Sequence, residues 1–499
     1  MSLSTTILQF FKSTMPLEEI AIKDTESEAE NVTVSDDNAK PSKVVGNIAP
    51  YVKINGYVFD HKDIEDMVFD ESGFLPTINI TIRDTQGIFK SAYFPKSNPI
   101  LSLYLRAKHD KLKCVRCDFL ITSITTDSSI DKMEHGIGRN LTMVMSGSLF
   151  VPMLYDNTPK SYAGVTSHEV LQELAADMRL GFATNENYTN DRMTWVKPYI
   201  RKSSFMNDVL TRTFKDDKSF FMGFISKHYN LTLINMGSMF GEDFDFDKVY
   251  ASVIDYDNLQ RKQSDEPSAP KQNDNPPLIL TNFSRMARSE TYLMEHRPET
   301  RQGSLLAKNG YIRNIGYYDQ MFSKDYKGNF VNLDVKPLNA TLVPGKTDTP
   351  DEMLDGFAAN SNGEWCGIDY NNGHANFNFA QIQNEHNNDA IRKITLYVKL
   401  NGVNLNLMRG MRVPVLIVRQ NTGEKIEMES QLQDKDLPKK DVEKNDEVNM
   451  ITDKWLSGFY VIGALRHVYE STEKNAFYTE ATLLRMNWDE PAATMPQKK

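Results

Sequence analysis

Residues Trp455–Trp488, WLSGFYVIGALRHVYESTEKNAFYTEATLLRMNW, decide the fold class of this 499-residue chain. Gly458 opens a run, Phe459 to Leu465, that is aromatic, β-branched or small almost throughout. Glu470–Asn475 supplies turn chemistry, and Phe477–Met486 runs back as a second strand. A hairpin with one wet face alternates apolar and polar residues. Here both alternate sets are apolar, Phe459/Val461/Leu465 and Tyr460/Ile462, so the hairpin is expected to be covered on both sides. One cover is expected to be the core of its own barrel and the other a second subunit.

The plan recurs near the other end. Phe119-Leu120-Ile121-Thr122-Ser123-Ile124, a polar Ser/Asp-rich turn and Asn140-Leu141-Thr142-Met143-Val144-Met145 repeat strand, turn and returning strand. A further apolar strand precedes each copy, Ile100–Leu105 in the first and Met411–Val418 in the second. Two β units of one plan account for the echo, as does chance likeness between amphipathic hairpins.

The length implies three or four domains. No run of about 18 apolar residues exists, so no membrane-spanning helix is expected. The first residues, MSLSTTILQFFKSTM, lack the basic start and cleavage site of a signal peptide and read as an arm or short helix. A net charge of −10, from 67 acidic and 57 basic residues, argues against a binder that grips phosphates with clustered Lys and Arg. Cys114, Cys117 and Cys366 make no disulfide framework, which fits assembly in a reducing cytoplasm.

Residues from about 16 to 46 are polar and acidic and read as a flexible lead-in. From Tyr51 the pattern turns to strands: Tyr51–Val58, Ile78–Asp84 and Leu101–Leu105, a small barrel or sandwich ending near Pro152. Thr166-Ser167-His168-Glu169 is a capping box, with Val170, Leu171, Leu174, Ala175 and Met178 at helical spacing behind it and Gly181 as the stop. A second helix is expected from Ser203 or Ser204, and a third over Phe220, Phe221, Phe224, Ile225 and Tyr229, leading into the strand Leu231–Asn235. A Pro-rich linker, 261–277, precedes strand-like Leu278–Met294, an irregular stretch from about 320 to 385, the strand Ile394–Leu400 and a charged loop, 433–449.

Motifs for chemistry are weak. Cys114-Val115-Arg116-Cys117 has metal-knuckle spacing, but residues three apart on a strand point to opposite faces and no second pair follows. Asp243–Asp247 begins like a calcium loop, yet Lys248 stands where Gly is needed and Ile254 where Glu is needed; an edge strand is the plainer reading. Gly136-Ile137-Gly138-Arg139 reads as a hairpin turn. His168 and His228 read as packing or surface residues on helices, and Asp63, Glu65 and Asp66 as a solvated turn or short helix. No catalytic residue, metal ligand or cofactor is expected.

The capped helix VTSHEVLQELAADMRLGFATN, then Trp195, then SSFMNDVLTRTFKDDKSFFMGFISKHYNLTLIN, resembles the helical domain of contractile-tail phage baseplate hub proteins. NGVNLNLMRGMRVPVLIV and the 455–488 hairpin resemble that family's second tube-like domain. The likeness covers most of 46–490 in pieces, and the order of the pieces carries it.

The resemblance implies an α+β, mainly β chain with two tube-protein-like β-barrel domains, an inserted α/β domain and long loops. The segments it implies are a flexible arm (1–45), a first tube-like domain (46–155), an α/β domain (156–260), the linker (261–277), the start of a second tube-like domain (278–330), an irregular insertion (331–390), the rest of the second domain (391–490) and a tail (491–499). It implies a non-enzymatic homotrimer in the virion baseplate, assembled in the host cytoplasm. Three chains with two barrels each would match a hexameric tube ring. The implied partners are a central spike, the tail tube, other baseplate proteins and DNA that passes through the channel without specific binding. Subunit or tube contacts are expected at Phe459, Tyr460, Ile462, Leu465, Tyr478, Leu484, Met486, Ile121, Leu141 and Met143. A spike-carrying adaptor of a related injection system and a tail-associated cell-wall hydrolase are the alternatives. The long lead-in and the 320–385 and 433–449 regions depart from the family pattern.

Overall fold

The computed structural model describes residues 50–55, 57–59, 63–84, 87, 89, 94, 99–105, 115–133, 136–240, 278–282, 292–301, 313–319, 329–335, 363–369, 373–374, 376–417, 453, 455–471 and 476–485. The arm, the linker, Asp243–Asp247, the 433–449 loop, the tail and Met486, for which the sequence carries expectations, lie outside these residues.

In chain order come β1 (Tyr51–Ile54), β2 (Tyr57–Phe59), β3 (Ile64–Asp70), β4 (Thr77–Asp84), β5 (Ile100–Leu105), β6 (Val115–Met133) and β7 (Gly136–Leu149). Then follow β8 (Lys160–Val165), α1 (Ser167–Asp177), β9 (Gly181–Thr184), β10 (Met193–Lys197), α2 (Lys202–Thr211), β11 (Phe221–Ile225) and β12 (Asn230–Asn235). The rest are β13 (Leu280–Thr281), β14 (Leu293–Thr300), β15 (Arg313–Asp319), β16 (Asn329–Val335), β17 (Gly363–Asp369), α3 (Phe377–Ala390), β18 (Ile394–Asn401), β19 (Arg412–Leu416), β20 (Gly458–Glu470) and β21 (Ala476–Arg485). The chain is mainly β.

One 13-stranded sheet dominates, ordered β14-β18-β21-β20-β3-β4-β7-β6-β5-β1-β2, with β19 on β20 and β13 on β19. Its ladders are antiparallel except β13 on β19. An isolated bridge, Thr281↔Tyr292, joins the end of β13 to the start of β14. The hairpin β20–β21 forms where the sequence places it. Its partner in the echo runs further than expected: β6 and β7 stay paired through the Ser/Asp-rich stretch to Met133↔Gly136, so Gly136–Arg139 are strand and not turn. Tyr51–Val58 is two strands, because Asn55 takes φ +48° and reverses the chain at an Asn-Gly pair. Asp63, Glu65 and Asp66 belong to the edge and body of β3, with no helix there.

The double apolarity of β20 has a local cause. The β20–β21 register slips between Ile462 and Ala464, at Gly463, where a Cβ would lie 2.6 Å from Leu484 Cδ1. This bulge switches the alternation, so Tyr460, Ile462 and Leu465 share one core with Leu396, Val413 and Leu483. Val461 and Leu484 face the other way, against Phe220, Phe224, Ile234, Met236 and Ile391. The cover expected from a second subunit therefore comes from the chain's own β11–β12 layer.

That layer corrects a helix to a strand. Phe220, Phe221, Phe224 and Ile225 fit a helical period, but β11 pairs with β12 from Phe221↔Asn235 to Ile225↔Leu231. Gly223 sits mid-strand, and its missing Cβ makes room for Leu210 of α2. A strand buried on both faces is apolar throughout, which a short helical template also fits. His228 accordingly lies in a tight turn, with Tyr229 at φ +55°.

α1 begins as read: Thr166 accepts from the Glu169 amide, and the Glu169 carboxylate accepts from the Thr166 amide. It ends before Gly181. Arg179 takes φ +57°, the Leu180 amide donates to Ala175 O at 2.8 Å and the Arg179 amide to Ala176 O at 3.0 Å. The stretch read as irregular, from about 320 to 385, holds β16, β17 and most of α3, and β15 ends just before it. α3 is rich in Asn and Gln because its side chains satisfy backbone groups of the α/β layer: Asn384 accepts from the Phe221 amide at 2.8 Å and donates to Thr211 O and Thr213 O, each at 2.9 Å.

Ile462 is fully buried, so Ile462→Asp places an uncompensated carboxylate in the second core. A loss of about 3–5 kcal/mol in urea-unfolding stability is expected; an unchanged midpoint would contradict this placement.

Candidate functional site

The ladder between β20 and β3, Arg466↔Asp70 to Glu470↔Asp66, joins the two β units edge to edge. Side chains therefore align in rows that cross the seam. One row reads Glu295, Lys399, Glu480, Arg466, Asp70, Thr77, Ser148, each residue opposite the next on the neighbouring strand. Charges alternate along its first five members. Arg466 is the hub, 3.2 Å from Glu480 and 3.6 Å from Asp70. Lys399 Nζ lies 3.9 Å from the centre of the Tyr478 ring, and the Tyr478 hydroxyl donates to Glu470 at 2.9 Å.

Strand alternation puts Asp66, Asp70, Glu295, Glu299, Glu470 and Glu480 on this face, six carboxylates, against Arg83, Arg297, Lys399 and Arg466, four cations. The rest of the face on β4 and β7 is small and polar: Thr77, Asn79, Thr81, Thr142, Ser146 and Ser148, with Val144 exposed among them. Glu65 of β3 pairs with Arg83 of β4. Such a surface offers an acidic, polar wall. No group of His, Cys, Asp and Glu is placed to hold a metal among the described residues.

Behind the seam, on the core side, a buried ionic cluster ties the units together. Glu71 follows β3, Lys227 sits in the β11–β12 turn and His467 in β20. Glu71 Oε1 accepts from Lys227 Nζ at 3.0 Å and lies 3.3 Å from His467 Nε2, and Lys227 also donates to Leu407 O at 2.9 Å. Burial would raise the Glu71 carboxyl, but Lys227 and His467 beside it hold it at about 2. Burial pushes the His467 imidazole below its ordinary range, with Glu71 pulling the other way. The same turn reaches the first unit: Cys117 Sγ donates to Lys227 O at 3.5 Å and the Tyr229 hydroxyl meets the Asp118 amide at 2.8 Å. Nothing in the sequence pattern singles out Glu71 or Lys227, since both look like loop charges.

The residues expected at subunit or tube contacts fall in three places. Tyr460, Ile462 and Leu465 fill the second core, and Ile121 and Met143 the first. Leu484 lies under the β11–β12 layer. Phe459 and Tyr478 are half-buried, Phe459 under the Arg412 guanidinium at 3.9 Å. Leu141 pairs with Ser128 and Asp84 in β7, and Met486 is outside the described residues. The hairpins thus supply cores, and the polar side chains between the apolar ones make the open face.

No protein-family model matches the chain, and no curated protein does. Among solved structures, a tail protein from Neisseria meningitidis MC58 is similar with a TM-score of 0.45 and 11% identity, over 88% of this chain and 97% of that one. The 43 kDa tail protein of prophage MuSo2 from Shewanella oneidensis gives 0.47 and 8%, over 88% and 99%. An Escherichia coli type VI secretion component, described as structurally similar to bacteriophage T4 tail proteins, gives 0.40 and 10%, over 88% and 79%.

Arg466→Glu sets like charges side by side across three strands. A stability loss of about 1–2 kcal/mol is expected at low salt, shrinking in molar salt; a salt-independent loss would place Arg466 outside a charge row.

Proposed function

We propose that this chain is a structural, non-enzymatic baseplate hub of a contractile phage tail. In this reading three copies form a pseudo-hexameric ring between a central spike and the tail tube, and the polar face lines the channel. The observation that carries the reading is the charge-alternating row crossing the β20–β3 seam, because it makes two β units present one continuous wall.

Eight strands run in series from β14 to β6 along that wall. At one end β14 has β18 on one side and, on the other, only the bridge beside Tyr292 among the described residues. At the other end β5 covers β6 only to Leu120, which leaves the outer edge from Ser123 onward without a ladder among the described residues. The uncovered edge of β6 is where a neighbouring copy could add to this sheet. The circuit β13-β19-β20-β21-β18-β14, returned by the Thr281↔Tyr292 bridge, supports a barrel in the second unit. A wall with six carboxylates against four cations repels phosphates on average and leaves no basic track for a duplex to stick to. The contacts expected at Phe459 and Tyr478 then fall on the rim of that wall, while the fully buried hairpin residues act by holding the strands in place.

Light scattering on a sizing column tests the assembly: a mass of three chains is expected at micromolar concentration. Retention of duplex DNA by the purified protein at physiological salt would oppose the channel role, and a monomer at all concentrations would oppose the ring.

A further inference from the structure

We propose that Glu71, Lys227 and His467 form a proton-operated latch, which releases the β11–β12 turn from the two β units in mild acid. The cluster joins three separate pieces of the fold through one carboxylate, and all three side chains are nearly or fully excluded from solvent.

The hydrogen bonds around His467 allow it two protonation states without moving a heavy atom. Nδ1 lies 2.9 Å from Thr479 Oγ1, and that hydroxyl lies 2.9 Å from Gly402 O. With a neutral ring, Nε2–H donates to Glu71 and the Thr479 hydroxyl donates to Nδ1. With a protonated ring, Nδ1–H donates to Thr479 Oγ1 and the hydroxyl turns to the Gly402 carbonyl. The ring therefore has a hydrogen-bond partner for each proton, and what burial and the neighbouring Lys227 oppose in the closed state is the added charge. Phe69 stacks on the ring with centroids 5.6 Å apart and offers no competing charge.

Proton uptake unbalances the junction. Two cations, Lys227 and His467, then share the single Glu71 carboxylate, and the other charged groups nearby do not compensate. His228 is next to Lys227 in the same turn, and burial with Lys227 beside it holds it neutral down to about 4. Arg409, in the loop before β19, donates to Gly73 O and is itself half-buried. Asp70 is spent on the outer face with Arg466. The member free to leave is Lys227, because it rides on a turn while Glu71 and His467 belong to paired strands or their immediate ends. Departure of the turn would uncover Cys117, whose thiol donates to Lys227 O.

The sign is fixed by burial. A histidine held neutral when closed and titrating at about 6.5 when open favours the open state as pH falls below about 6.5. Between about pH 7.5 and about pH 5.5 the open population rises about tenfold.

The test uses the full chain with Cys114→Ser and Cys366→Ser, so that Cys117 is the one thiol, and a pyridyl disulfide that reacts in acid. Its labelling rate, divided at each pH by that of the same protein unfolded in urea so that the loss of thiolate in acid cancels, is expected to rise about tenfold over that pH range, and His228→Gln to leave the rise intact. His467→Gln should flatten it, as should Lys227→Met, which removes the repelled charge and serves if the first variant does not fold. Urea midpoints at neutral pH show which variants are folded. A rise that persists in folded His467→Gln or Lys227→Met, or no rise in the parent protein, overturns the latch.

Discussion

Everything on the outer wall depends on five residue pairs between β20 and β3. Without that ladder the chain would hold two separate β units, each with its own edge. With it, strand alternation is carried across the seam, and polar side chains from remote parts of the sequence line up within ion-pair distance. The ladder also merges the interiors. Tyr469 and Phe477, from the second hairpin, are buried in the first core beside Phe69 and Phe119. A shared core and a shared ladder make the two units one mechanical body, with the β11–β12 layer wedged against it.

The wedge explains why charge is tolerated in the interior. An isolated buried ion is costly, and removing one partner of a buried pair leaves the other uncompensated. Glu71, Lys227 and His467 are held by strand ends, a tight turn and backbone carbonyls, so each finds its partner only when all three pieces are docked. Apolar contacts between layers tolerate sliding. A triad with set hydrogen-bond directions does not, and this cluster gives the junction one arrangement.

Much of the fold was legible in local chemistry. The capping box at Thr166, the period-two strands Ile78–Asp84 and Ile394–Leu400 and the closing hairpin all follow from signals a few residues long. The failures share a cause. Phe220–Tyr229 fits a helix because a strand covered on both faces has no alternation to display. The double apolarity of Phe459–Leu465 suggests a second subunit in sequence, when a bulge at Gly463 and an internal layer answer it. α3 has a polar sequence whose amides are used up by backbone groups up to 173 residues away. The charge row was invisible for the same reason: its members become neighbours only through register. Six of the expected contact residues, Ile121, Met143, Tyr460, Ile462, Leu465 and Leu484, lie in the interior of the single chain, and the open face is built from the polar residues between them.

The seam also has a history within each molecule. Glu71 and His467, which meet across it, are 396 residues apart in sequence. At synthesis rates of about 5–20 residues per second, β3 leaves the ribosome about 20–80 s before β20 exists to pair with it. During that interval the first unit carries a bare strand edge and half an interior, a state prone to pairing with the wrong chain. Asp66 and Asp70 sit on that waiting edge. Like-signed charges on an edge strand discourage a second nascent copy from adding there, so the residues that later line the wall also guard the chain while it is being made.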